Sequence, residues 1–355
     1  MSLLENSHDL VQRWREAVSQ NPSATIFQTY EWNLAWQDAY RDLFSVQLLG
    51  ESSPGAPSWI FPSTLQDIRL NLLSERERKP LGTVNEATDY ADIICDGSKL
   101  QTQRACENLV SQSWNETLLT LSNLRSDSLT SSLLEETLSQ SNASYWKVKL
   151  YDAPEIDLTV SGVESFLLKK KSLQRYTRAF EKKGDLRFEV LSDEARIAEL
   201  LPLFFEQHQQ RRAHVGDVSM FVRKEPRLFY EKLLQYLLPR GWLHFSVLWF
   251  NDKPLAFHFG FLYRNILYWY TPTFNPEYAK DSPGEVLLRF LFHYSLEREY
   301  ATFDFTVGNE AFKYRFANRI KEVYRFYIYR RKLSCLMQKG RNALSHLKQI
   351  AREKK

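Results

Sequence analysis

Cysteine is nearly absent from this chain: there are 3 in 355 residues, at positions 95, 106 and 335. An odd count at such separations builds neither a disulfide framework nor a zinc site, and it fits a reducing compartment. Glycine is scarce too, with 12 residues, and none of the glycine-rich signatures occurs. There is no P-loop, no Gly-x-Gly-x-x-Gly turn, no Gly-x-Ser-x-Gly elbow and no metal-ligand spacing, so kinase, dinucleotide, serine-hydrolase and zincin readings lack support. Long apolar runs are missing as well, since His258 and Arg264 interrupt the longest candidate. Met1–Glu5 has neither the basic start nor the apolar stretch of a signal peptide, and the expected location is cytoplasmic.

Aromatic residues, by contrast, make up 14% of the chain, which promises ring-filled cores and clefts. Hydrophobic residues at 43% and charged residues at 25% are those of a globular protein, and the length allows two domains. The net charge of +4 is unevenly spread. Residues 313–355 hold 14 Lys/Arg against 2 Asp/Glu, leaving 33 basic and 41 acidic residues elsewhere. Such a basic tail suits an anionic partner, or serves only as a solvated helix.

The pattern predicts two α/β halves divided near Ala153-Pro154-Glu155. In the first, Trp32, Trp36 and Tyr40 recur at helical spacing and mark a core stripe. Strands are expected at 44–49, 58–61, 89–94 and 117–121, then a loosely packed helix over 122–144. The second half should start with a basic helix over 166–183, followed by a strand over 186–191 and helices over about 193–211 and 225–238. Three strands come next, at 243–249, 255–263 and 266–274, whose short connections require antiparallel hairpins. A mostly apolar helix over 283–298 and a strand ending in Phe303–Gly308 follow. Leu333, Leu336, Met337, Leu344, Leu347 and Ile350 then share one side of a basic amphipathic helix over 332–355, able to lie on an anionic membrane or to pack back on the protein.

Four groups of residues could carry chemistry. Ser282 fits a helix N-cap, Pro283 the first helical position and Glu285 the reciprocal capping-box position. That helix start either seats a phosphate near Gly284 or is simply well capped, and the Glu285 carboxylate counts against phosphate. Asp304 ends a strand just before Glu310, Lys313, Tyr314 and Arg315. A carboxylate there can take a proton from an amine while Lys313 or Arg315 holds an anion, or Asp304 and Lys313 form a structural ion pair. His258 stands between small neighbours, Ala256 and Gly260, as a base or as a satisfied core group. His208 and Arg211, three residues apart, could bind an anion where an apolar helix face runs out, or decorate the surface.

The order of elements in the second half resembles that of the GNAT N-acetyltransferase fold. More narrowly, the chain is similar to the bacterial CelD-like branch associated with cellulose and exopolysaccharide biosynthesis. The matching segments are Phe27-Gln28-Thr29-Tyr30-Glu31-Trp32, Asp89-Tyr90-Ala91-Asp92, His208-x-x-Arg211, Ser282-Pro283-Gly284-x-x-Leu287-Leu288, and Phe303-Asp304-Phe305 through Gly308-Asn309-Glu310-Ala311-Phe312-Lys313. The resemblance implies two GNAT-like units, residues 1–154 and 155–331, each a mixed, mostly antiparallel sheet flanked by helices, with the active cleft in the second. It implies acyl transfer from acetyl-coenzyme A or another acyl-coenzyme A, used as co-substrate without a metal. The acceptor would be a small-molecule amine or a sugar- or lipid-linked one in an envelope, polysaccharide or lipid precursor, and the tail would hold the protein at the inner membrane.

In that scheme Trp269, Tyr270 and Thr271 align the donor along a strand, and Ser282 and Gly284 take its phosphate. Asp304, His258 and Glu310 supply proton transfer, while His208, Arg211, Lys313 and Arg315 hold the acceptor. The donor loop departs from the usual Arg/Gln-x-x-Gly-x-Gly/Ala, because Ala279-Lys280-Asp281-Ser282-Pro283-Gly284 keeps only the last glycine. Phe312-Lys313-Tyr314-Arg315-Phe316 also resembles the Phe-Lys-x-x-Phe segment of Fem-type transferases. That likeness implies an alternative, peptidyl transfer from aminoacyl-tRNA, which a basic helix and tail would suit. A third expectation is a non-catalytic partner of a membrane polysaccharide synthase.

Overall fold

The computed structural model describes residues 8–50, 59–70, 73–112, 118–141 and 143–329, so the expected helix over 332–355 lies outside the described residues. By contacts the chain divides into two compact units, one of residues 1–33, 41–151 and 322–355, the other of residues 34–40 and 152–321.

The first unit opens with α1 (His8–Gln20) and the start of α2 (Tyr30–Tyr40), whose residues from Leu34 on belong to the second. Thr29 caps α2 by accepting from the Trp32 N–H. Strands β1 (Val46–Gly50), β2 (Ile60–Leu70) and β3 (Leu73–Pro80) form an antiparallel meander. Helix α3 (Lys99–Gln112) then carries the chain over to β4 (Leu118–Arg125), which pairs parallel with β3 at Glu77–Arg78. Helix α4 (Leu129–Gln140) and β5 (Ser144–Asp157) follow. The core gathers Trp59, Phe61, Leu109, Leu121 and Leu134 between sheet and helices.

The sequence pattern missed β3, whose Glu-Arg-Glu-Arg-Lys reads as surface. Two of its charges are in fact buried and satisfied: Glu77 accepts from Thr120 at 2.6 Å, and Arg78 donates to Ser63 at 2.7 Å. The expected strand at 89–94 is a loop that pairs with β2 through the isolated Ile60–Ile94 bridge. Its backbone is held by side chains instead, with the Tyr90 carbonyl accepting from Gln28 and the Thr88 carbonyl from Asn123. The helix expected over 122–144 begins only at Leu129, because β4 continues to Arg125.

The second unit has α5 (Val163–Leu168), α6 (Lys171–Glu181), β6 (Leu186–Leu191), α7 (Glu194–His214) and α8 (Lys224–Leu237). Strands β7 (Leu243–Phe250), β8 (Lys253–Tyr263) and β9 (Ile266–Phe274) follow, then α9 (Pro283–Glu297), β10 (Thr302–Asp304), α10 (Ala311–Tyr314) and β11 (Arg319–Tyr329). β6 to β9 pair antiparallel in sequence order, as the short hairpins require. β10 lies parallel to β9 and antiparallel to the end of β5. The late residues of β11, Val323–Tyr329, return to the first unit and pair antiparallel with β4.

Both units therefore repeat one order: three antiparallel strands, a helix, and a strand parallel to the third. Each is α/β, with a mixed, mostly antiparallel sheet flanked by helices. In the second unit Phe204 of α7 and Tyr230 of α8 pack on Phe245, Phe257 and Phe259 on one face. Leu288, Leu291 and Phe292 of α9, with Leu173 and Phe180 of α6, cover the other. Covered on both faces, β8 is buried from Leu255 to Phe261, with no half-polar alternation.

The basic helix expected over 166–183 is two helices broken at Lys169–Lys170. Lys170 takes an extended conformation there (φ −61°, ψ 112°) and sends its Nζ to the Arg315 carbonyl at 2.6 Å, between the rings of Phe166 and Phe316.

Candidate active site

β9 does not run straight. Phe259 and Phe261 of β8 face Thr271 and Tyr268, so β9 spends one residue more than β8 over this step, a β-bulge at Trp269–Tyr270. Tyr270 and Thr271 consequently both turn toward Tyr230 of α8, and Thr271 shares a 2.5 Å hydrogen bond with its hydroxyl. Trp269 turns the other way and stacks on His258 at 5.0 Å. β10 accompanies β9 only along Ile266–Tyr268. From Trp269 to Phe274 that edge has no strand partner among the described residues.

Charged groups collect along this edge. Arg211, reaching over from α7, donates to the Pro272 carbonyl at 2.8 Å and lies 4.5 Å over the ring of Phe274. Burial lowers its pKa, and so does Arg212, while the Glu310 carboxylate acts in the opposite sense. Gly284, in the first turn of α9, lies against Phe274. Asp304, buried at the end of β10, accepts the Thr306 N–H at 2.7 Å. Beyond it Glu310 forms the N-cap position of α10, its side chain 58% exposed, and pairs with Lys313 Nζ at 3.0 Å. Lys313 is buried and also donates to the Val307 carbonyl at 2.8 Å. Gly308 makes this latch possible. Its φ of +138° favours glycine, and a Cβ there would stand 2.1 Å from Glu310 Oε2 and 2.7 Å from Lys313 Nζ.

The start of α9 differs from the predicted capping box. Ser282 is left-handed (φ 57°, ψ 51°) and its side chain caps nothing. Glu285 does not reach back to it; its carboxylate pairs with Arg315 at 2.7 Å.

Two predicted residues lie in the core. His258 is fully buried on the α9 side of the sheet, its Nδ1 3.2 Å from Nδ1 of His244. Burial, aided by His244, holds its pKa well below the usual imidazole range, and burial takes His244 to about 3. His208 shares a 2.8 Å hydrogen bond with Ser219 and packs on Phe221; burial and the neighbouring Arg212 and Arg211 lower it to about 4. The structure thus brings together Arg211, the Trp269–Phe274 edge, Gly284, Asp304, Glu310 and Lys313. It leaves His208 and His258 in packing positions and turns Arg315 onto Glu285.

A strand edge opened by a bulge, beside a helix start and a carboxylate, is suited to lining up an acyl donor with an amine. Residues 169–314 match the acetyltransferase (GNAT) domain family. The matching stretch lies within the second unit. No curated protein sequence matches the chain. Among solved structures, the crystal structure of FemX is similar with a TM-score of 0.61 at 11% identity, over 88% of this chain and 95% of that one. The C-terminal domain of a putative lysylphosphatidylglycerol synthetase from Agrobacterium fabrum gives 0.58 at 13% identity, covering 94% and 95%. A conserved protein of unknown function from Bacteroides thetaiotaomicron gives 0.55 at 13% identity, covering 90% and 97%. At such identities these likenesses speak for the fold alone.

Within the matching stretch, sequence reasoning overlooked His244 and the parts that Gly260 and Lys170 play. A Cβ at Gly260 would fall 2.2 Å from His258 Cε1 and 2.3 Å from the Tyr268 carbonyl, so the glycine makes room for the His258 ring. Register places His244 opposite Gly260, on the same sheet face as His258. Two-residue alternation along both strands was the available signal.

Proposed function

We propose that this protein is an N-acyltransferase that moves an acetyl or other acyl group from acyl-coenzyme A to the amine of an envelope, polysaccharide or lipid precursor, in the manner of the CelD-like branch. The observation that carries the reading is the edge of β9 from Trp269 to Phe274, which no strand continues among the described residues and on which Arg211 lies, with Glu310 near it. The donor's amide-bearing arm lies along that edge as an added strand would, with its thioester beside the end of β10. Glu310 is the accessible carboxylate of the set, and it accepts the proton as the amine nitrogen bonds to the thioester carbonyl carbon. The carbon–sulfur bond then breaks, and the leaving thiolate is protonated from solvent. Lys313 holds Glu310 in place, and Arg211 holds an anionic part of the acceptor. His258 takes no part in this scheme, being closed inside the core.

The test is thermal-shift titration with acetyl-coenzyme A, followed by thiol release in the presence of candidate amines. Saturable stabilisation supports the reading, and none at millimolar donor rejects it. One observation favours a second reading. The Glu285 carboxylate stands in the first turn of α9, where the coenzyme's diphosphate would seek N–H groups. An aminoacyl ester on tRNA places no diphosphate there, and a salt-sensitive shift with charged tRNA alone would favour it.

A further inference from the structure

Helix α6 carries one face that the second unit does not use. Its inner side buries Leu173, Thr177 and Phe180. On the outer side Lys171, Arg175, Arg178 and Lys182 stand at i, i+4, i+7 and i+11, all exposed, in a ridge about 16 Å long. Lys171, Arg178 and Lys182 form no ion pair among the described residues, and Arg175 bonds only to the hydroxyl of Tyr176. Lys169 extends the ridge at the helix break. Between residues 160 and 183 there are seven Lys/Arg and only two carboxylates, Glu164 and Glu181. At the N-terminal end of the ridge two apolar side chains face solvent, Val160 at 49% and Phe166 at 50% exposure. Lys170 lies 4.6 Å over the Phe166 ring.

We infer that the α5–α6 edge docks on an anionic lipid surface, with the α6 ridge on the headgroups and Val160 and Phe166 in the headgroup–acyl boundary. Charge complementarity selects the partner: a straight row of unpaired cations matches a plane of phosphates, and exposed apolar residues beside it gain by entering the boundary. A single-stranded nucleic acid would call for a groove with stacking platforms, whereas this is a convex helix whose second apolar residue is a valine. Among the described residues no helix is long and apolar enough to cross a membrane, so contact here is at the surface. Both ends of α6 are tied to the candidate site. Lys170 donates to the Arg315 carbonyl beyond α10, and Lys183 pairs with Asp281 just ahead of α9 at 3.0 Å. A bilayer seated on the ridge is therefore beside the start of α9, which suits a lipid-linked acceptor.

The test is flotation of the full chain with phosphatidylcholine vesicles, with and without phosphatidylglycerol, and needs no acyl donor, so it stands apart from the proposed reaction. Binding should require phosphatidylglycerol, weaken with salt, and fall on the order of five-fold for each charge removed. Lys171→Gln with Lys182→Gln is the mild variant; adding Arg175→Glu and Arg178→Glu is the severe one. Phe166→Ser should weaken binding without changing its salt dependence. The inference is overturned if wild type ignores anionic vesicles, or if the mild and severe variants float like wild type, which would place the contact in the basic tail. It is also overturned if the variants lose affinity for tRNA and not for vesicles.

Discussion

In the first unit, the strand edge that follows the parallel pair is occupied by the protein itself. β3 leaves β4 after Leu119, and the loop 87–92 takes its place: the Ala91 N–H donates to the Asn123 carbonyl at 2.8 Å, and Asn123 Nδ2 donates to the Thr88 carbonyl at 2.7 Å. Trp32 and Gln28 of the first unit's helical segment fix that loop from behind. In the second unit β10 leaves β9 after Tyr268; Thr306 reaches the Trp269 carbonyl at 3.4 Å, but among the described residues no strand continues along β9 beyond it, and Arg211, Glu310 and Lys313 collect there instead. One architecture thus gives a plugged edge and an open edge. The difference lies in which side chains surround the edge: amide and indole groups that tie the loop down in one, charged groups in the other.

The sharpest way to break this comparison is to neutralise one carboxylate on each side. Glu310→Gln should lower acyl transfer by about a hundred-fold or more, whereas Asp92→Asn in the plugged loop should leave it unchanged. Thiol release from acetyl-coenzyme A measures both, and equal loss in the two variants would end the assignment of the site to the second unit. Next in size is Gly260→Ala, which drives a Cβ into His258 and the Tyr268 carbonyl and should destabilise the second unit by about 3 kcal/mol. Hydrogen exchange should quicken in β7–β9 and stay unchanged in β1–β4.

Acid should separate the units in direction. His208, His244 and His258 all lie in the second unit, with folded pKa values below the ordinary imidazole value of 6.5. Their contribution is complete above about pH 6.5 and is lost as pH falls toward the folded values, at up to about 1.4 kcal/mol per pH unit for each. Asp92 in the first unit behaves oppositely. Burial raises its carboxyl above 3.8 against the bonds from Ser128 and Ile93, so its contribution is present below 3.8 and lost as pH rises through the folded value. Exchange measured from pH 7 to 4 should show the second unit loosening first, and simultaneous loosening would contradict the asymmetry. The smallest effect is expected from Glu285→Gln. Relieving the carboxylate at the start of α9 should tighten acetyl-coenzyme A about three-fold and leave acetyl-pantetheine, which lacks the diphosphate, unaffected by calorimetry.

Much of the second unit was legible because its strands are long apolar runs joined by two- to four-residue turns, which leave antiparallel hairpins as the only geometry. The site was legible in part. Asp304, Glu310 and Lys313 follow one another in the chain, and a strand end beside a short helix is a local pattern. Arg211 was visible as a residue but not in its role, since its partner, the Pro272 carbonyl, lies 61 residues away. His258 looked available because its neighbours are small, yet Gly260 is small in order to admit the imidazole itself. β3 and the plug loop escaped because their buried groups are polar. Glu77, Arg78 and Asn123 are satisfied by partners distant in sequence, which no periodicity announces.

The return of β11 to β4 sets a timetable for synthesis. Tyr329 lies beside Leu118 and Val323 beside Arg125, so the first unit's sheet lacks this strand until the entire second unit has been translated. Helices α3 and α4 and strands β1 to β4 must wait on the ribosome with one edge of β4 bare, while β7 to β9, joined by tight hairpins, can close as they emerge. The half begun first is the half completed last. A chaperone that shields β4 in the interval should therefore raise the yield of folded protein more than one acting on the hairpins.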